Sequence, residues 1–155
     1  MGSSSVTPLG AVGRGLVAGA IGTAVMTAYQ MAVQKARGGG SSNVPGEVGK
    51  RVIEGVFDRS TPEGIEEKLT MPVHILYGTG WGAVYGLVHS SLGPGHLRHG
   101  LVFGTAVWAS GMVQLPAMKL APPVWQMPPK EIPVDLSYHL VYGLGVAAGY
   151  AAVGR

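Results

Sequence analysis

The residues of this chain best suited to chemistry are two histidines in a repeated motif. His74-Ile75-Leu76-Tyr77-Gly78-Thr79-Gly80 returns as His139-Leu140-Val141-Tyr142-Gly143-Leu144-Gly145, and a tyrosine follows each histidine by eleven residues, at Tyr85 and Tyr150. A neutral imidazole can ligate a metal or serve as an axial haem ligand. If the two segments are neighbouring helices, His74 and His139 stand at similar depth and could clasp a b-type haem or a small metal site. Gly78 and Gly143 would then leave room for the flat macrocycle, with Tyr77 and Tyr142 beside it. The competing reading puts both imidazoles at headgroup level, bonded to water or to helix-end carbonyls, with no cofactor and no metal. It is preferred, because no further ligand pattern accompanies the pair.

The remaining polar residues offer less. His89, His96 and His99 surround a short Gly/Pro turn and read as solvated histidines at the membrane surface. Tyr77 and Tyr85, and likewise Tyr142 and Tyr150, are spaced by eight and could project on one face, as anchors or interhelical hydrogen-bond donors. With Thr23, Thr27, Tyr29, Gln30 and Gln114 they could instead line a narrow polar path. Asp135 precedes a helical run and reads as a cap or dipole partner. There is no Cys, no Ser/His/Asp spacing, no phosphate loop and no HExxH motif, so no enzymatic activity is expected.

The elements that must position these residues follow from charge. Only 12% of the 155 residues are Asp, Glu, Lys or Arg, about half the ~25% typical of soluble domains. A hydrocarbon core ~30 Å thick is crossed by about 20 helical residues. Four runs of about that length carry no Asp, Glu, Lys or Arg: 15–34, 71–92, 100–118 and 136–154. The fold class expected is therefore all-α: one polytopic domain over residues 1–155 with four transmembrane helices. The loop 35–70 adds an amphipathic interfacial helix at about 46–58, with Val48, Val52, Ile53, Val56 and Phe57 at helical spacing. Ser60 and Glu63 have capping-box spacing and predict a second short helix there. Residues 92–98 read as a tight turn, and the Pro-rich stretch 119–135 around Trp125 as an extended interfacial segment. The first and third loops hold eight Lys and Arg against three on the other face, which puts both termini outside. The net charge of +3 is scattered, so nucleic acid is not an expected partner.

Gly15-Leu16-Val17-Ala18-Gly19 in the first run recurs as Gly100-Leu101-Val102-Phe103-Gly104 in the third. Together with the histidine motif, this reads as a two-helix hairpin duplicated in the same orientation. Gly78, Gly82 and Gly86 form a stripe at spacings of four, and Gly145 with Gly149 repeats it. Such stripes, with Gly15, Gly19, Gly100 and Gly104, let helices approach closely in lipid.

The GLVAG opening, the two HxxYG helices and the Pro-rich segment with its Trp resemble the YagU-like group of small bacterial inner-membrane proteins. His74, Tyr77, Gly78, Trp125, His139, Tyr142 and Gly143 carry the resemblance, over most of residues 10–153. It implies a multi-pass protein of the bacterial inner membrane, of largely undefined role with a suggested link to acid stress, and supplies no residue-level mechanism. The long first loop has no counterpart in that group. The function expected is a structural or accessory subunit that packs with itself or with a larger membrane complex. The alternatives are a small transporter or channel lined by Tyr, Thr and His, or a b-type haem-binding membrane protein.

Overall fold

The computed structural model describes residues 7–39, 42–89 and 95–153. Among them the chain is all helical: α1 (Pro8–Arg37), α2 (Val44–Val56), α3 (Ile65–His89), α4 (His96–Ala117) and α5 (Glu131–Val153), with a 3-10 turn at Val124–Gln126. Three helices, α1, α4 and α5, are long and apolar enough to cross a membrane. The fourth expected span, on α3, is not among them. Its length of 25 residues is ample, but four glycines, two histidines, two tyrosines and Trp81 dilute its apolar content.

Local chemistry sets the boundaries. Thr7 caps α1 by accepting a hydrogen bond from the Gly10 amide at 3.2 Å, and Pro8 opens the helix where its missing N–H has no helical use. Gly38, at φ 65, ends α1 in a left-handed turn with its N–H directed at the Gln34 and Lys35 carbonyls. The short helix expected at Ser60 and Glu63 does not form. Residues 58–64 are non-helical, Gly64 turns the chain at φ 75, and α3 runs unbroken from Ile65 through Pro72. The extended Pro-rich segment is shorter than expected, because α5 begins at Glu131 and takes Pro133 into its first turn, where proline costs no hydrogen bond. Most of the turn expected over 92–98 lies outside the described residues; His96 already belongs to α4.

Packing radiates from α1, which contacts α3 on one side and α5 on the other, while α4 packs on α5 and α2 on α3. Glycine makes each approach possible. In the α1–α3 seam a Cβ on Gly15 or Gly19 would collide with Gly82 backbone, and one on Gly86 with Ala11. In the α1–α5 seam a Cβ on Gly145 would lie 2.9 Å from the Gly22 Cα, and one on Gly149 3.3 Å from the Ala18 Cα. In the α4–α5 seam Gly100 and Gly104 meet Gly143 and the backbone of His139 and Leu140. Backbones this close exchange dispersion and Cα–H···O contacts, the main attractions left to helices when lipid is as apolar as their side chains. The α3–α4 gap is filled differently, by rings: Phe103 sits edge-on to Trp81 and Tyr85, with ring centres 6.2 and 5.0 Å apart. Tyr85, Tyr142, Val146, Ala147 and Tyr150 form the core with Ala18, Met26 and Val107.

Candidate functional site

His74 and His139 lie on α3 and α5 within electrostatic reach of each other, but each is already engaged. Thr27 Oγ1 donates its single proton to the Thr23 carbonyl at 2.8 Å, so at its 3.2 Å contact with His74 Nε2 it is the imidazole that donates. His139 Nδ1 stands 3.0 Å from the Asp135 carbonyl, which can only accept, so that nitrogen also carries its proton. Both rings are held by local partners on α1 and α5.

The arrangement does not fit a b-type haem. An iron ligated by His74 Nε2 would have to break the Thr27 bond. The spaces beside Gly78 and Gly143 are taken, by the Thr23 side chain in the first case and by Gly100 and Gly104 backbone in the second. A cavity of about 400 Å³ does open between α1 and α3, but its lining is Ala20, Thr23, Ala24, Thr27, Ala28, Met31, Met71 and Ile75, without either histidine. Among the described residues no three His, Asp or Glu converge as a metal-binding group.

Tyr77 and Tyr85 do not share a face. Eight residues advance a helix by about 80° beyond two full turns, so equal spacing does not align them. Tyr77 is 43% exposed while Tyr85 is 1% exposed, and Tyr142 and Tyr150 are buried. Tyr142 donates from its hydroxyl to the Gly78 carbonyl at 2.6 Å, a direct tie from α5 to α3. The hydroxyls of Thr23, Thr27, Thr70 and Thr105 bond back to the carbonyl four residues earlier, and Gln114 is exposed. Nothing in these contacts strings them into a continuous polar path.

No protein-family model matches the chain, and no curated protein or solved structure matches it.

Several contacts were not legible in the sequence. Asp135 is not a cap: it sits inside α5, near its start, and accepts from Trp108 Nε1 on α4 at 2.9 Å. Arg37 and Glu131 form a two-point ion pair at 2.6 and 2.9 Å that ties the end of α1 to the start of α5, outside the uncharged runs. The Arg37 guanidinium holds the Glu131 carboxyl below its ordinary range. Tyr29 meets Tyr138 edge-on at 5.8 Å. Gly22 did carry a signal, since Ala11, Gly15, Ala18 and Gly22 continue one helical face.

At the opposite end, His89 stacks on His96 with ring centres 5.5 Å apart and stands edge-on to His99 at 6.0 Å. Tyr85 and Tyr150 back the same histidine at 5.3 and 4.5 Å.

Proposed function

We propose that the chain is a four-span structural or accessory subunit of the bacterial inner membrane, belonging with the YagU-like group, that packs with further copies or with a larger membrane complex. The observation that carries this reading is where small residues face. Glycine and alanine close the inner seams, yet Gly13, Gly80 and Gly111 face open space and Ala20, Ala24 and Ala28 line an outward apolar groove. Outward small residues let a further helix approach as closely as the internal ones do.

In this reading α3 is the fourth span. The large residues it exposes from 71 to 88 are Met71, Ile75, Leu76, Tyr77, Val84, Leu87 and Val88, a surface suited to lipid. The loop helix α2 lies at the interface beside α3, anchored by exposed Val52, Val56 and Phe57, with exposed Trp125 on the same side of the membrane. Loop basic residues favour termini on the outer face.

Mass measurement in nanodiscs drawn directly from the native membrane tests the proposal. The expected result is a species heavier than one 16.0 kDa chain, as a homo-oligomer or with a co-isolated partner. A bare monomer under these conditions contradicts it.

A further inference from the structure

The groove between α1 and α3, about 400 Å³ in volume, has Ala20, Ala24, Ala28 and Met31 along one wall and Met71 and Ile75 along the other. No residue of α4 or α5 lines it, so it lies on the outside of the bundle. The two threonines in its lining give their hydroxyl protons to the Gly19 and Thr23 carbonyls, and nothing else there calls for water. Its occupant should be apolar.

The width narrows the choice. From Ala20 to Met31 the groove follows α1 for about 16 Å, so its volume corresponds to a cross-section of roughly 25 Å² and a width of about 5 Å. A helix, about 10–12 Å across with its side chains, can cap such a groove but cannot enter it. A polymethylene chain, with carbon contacts at about 3.5–4.0 Å, fits.

The mouth adds charge. Lys35 continues the α1 face of Ala24, Ala28 and Met31 at helical spacing, and Lys68 stands one turn before Met71 on α3. Thr27 and His74 meet across the seam, and Lys35 lies eight residues beyond the one while Lys68 lies six before the other. In antiparallel helices this puts the two cations within about 3 Å of one level. Both are exposed, and among the described residues the ion pairs are Arg37–Glu131 and Lys50–Glu66, which leaves Lys35 and Lys68 uncommitted. Glu67, next to Lys68, offsets one of the two charges.

We infer that this groove binds one anionic phospholipid, with an acyl chain along the alanine face and the phosphate between Lys35 and Lys68. Lysine stems can lie along apolar surface while their ammonium groups reach headgroup level. Basic residues where spans meet the cytoplasmic surface attract anionic headgroups, and the loop charges favour that side for the end of α1. The inference rests on the placement of α1 and α3 in the membrane. Gly13, Gly80 and Gly111 lie outside the groove and remain open to a further helix.

Native mass spectrometry of the full chain in mild detergent tests it, with phosphatidylglycerol and phosphatidylcholine of identical acyl chains supplied in equal amounts. The expected result is one phosphatidylglycerol retained per chain in preference to phosphatidylcholine. Lys35→Gln and Lys68→Gln should each weaken phosphatidylglycerol retention by about fivefold, whereas Glu67→Gln should strengthen it and Lys130→Gln, in the other loop on that side, should leave it unchanged. Ala24→Leu, which fills the groove from an exposed position, should release both lipids. Circular dichroism identifies any variant that has lost its helices. Equal retention of the two lipids by the wild type, or an undiminished preference in a folded Lys35→Gln and Lys68→Gln double variant, overturns the inference. So does a folded Ala24→Leu that keeps its lipid, or that loses a polypeptide partner in its place. The subunit proposal is judged by the mass of the protein assembly and this inference by the mass of retained lipid, so either can fail alone.

Discussion

The hairpin formed by α1 and α3 and the one formed by α4 and α5 are built from the same two motifs, yet they close in different registers. In the first, Gly19 sits against Gly78 and Gly82; in the second its counterpart Gly104 sits against His139, Leu140 and Gly143. Gly78 and Gly143 are counterparts, so the second hairpin has slid by one helical turn, about 5.4 Å. The neighbours explain the slide. Gly82 corresponds to Ala147 and Gly86 to Ala151, so the first hairpin has three successive gaps along α3 and the second has one on α5. The Trp108–Asp135 bond and Phe103 occupy space in the second hairpin that Thr23 and Ala18 leave small in the first. A shared motif therefore sets which faces meet, while the residues around it set where along the helix they lock.

Filling a seam should have the largest effect. A Cβ at Gly82 would lie 2.6 Å from the Gly19 amide nitrogen, with nothing flexible to yield, so Gly82→Leu should cost about 3 kcal/mol. Gly80→Leu, two residues away but facing open space, should change stability by about 0.5 kcal/mol or less. Unfolding followed in bicelles separates the two, and equal effects would remove the seam from the account.

Next in size are the ties between hairpins and within the second one. Tyr142→Phe strips the Gly78 carbonyl of its tyrosine donor and should cost about 1 kcal/mol, whereas Tyr77→Phe, at the repeat-equivalent but exposed position, should cost almost nothing. Trp108→Phe leaves part-buried Asp135 without its indole donor and should also cost about 1 kcal/mol. It also tests whether that bond holds the slipped register: disulfide trapping between cysteines placed at residues 104 and 143 should fall in the variant.

The smallest effect is expected at Arg37 and Glu131, where solvent screens the pair. Because the partner lowers the Glu131 pKa, its stabilisation is fully present above the ordinary carboxylate range and is lost as pH falls through the lowered value. Glu131→Gln should barely move the melting temperature at neutral pH and should slightly flatten its decline in acid.

Much of this was legible from residue spacing. Uncharged runs located the bodies of α1, α4 and α5, and the pattern of Val48 and Val52 located α2. The boundaries were less legible, because Gly64 and Pro133 act through backbone geometry that a capping pattern such as Ser60 and Glu63 does not reveal. Spacing also could not say which tyrosine faces inward: Tyr77 and Tyr142 share a motif, and only the packing of α5 between α1 and α4 buries the second. The histidine pair was legible as a pair but not in its role, since the Thr27 partner comes from another helix 47 residues away. The second histidine cluster was visible as three residues around a turn, and only the burial of His89 Nδ1 and His99 Nδ1 sets it apart from a solvated surface.

The proposed fourth span is α3, the one long helix that is not among the three apolar enough to cross a membrane. Cysteine accessibility tests it directly, because the chain has no cysteine of its own. Leu76→Cys and Val84→Cys are introduced on the outward face of α3, with Val102→Cys on α4 as the reference, and intact membranes are treated with a membrane-impermeant maleimide and then with a lipid-soluble one. With α3 in the membrane, all three positions resist the first reagent and react with the second. Labelling of Leu76→Cys and Val84→Cys by the impermeant reagent, with Val102→Cys protected, would contradict it.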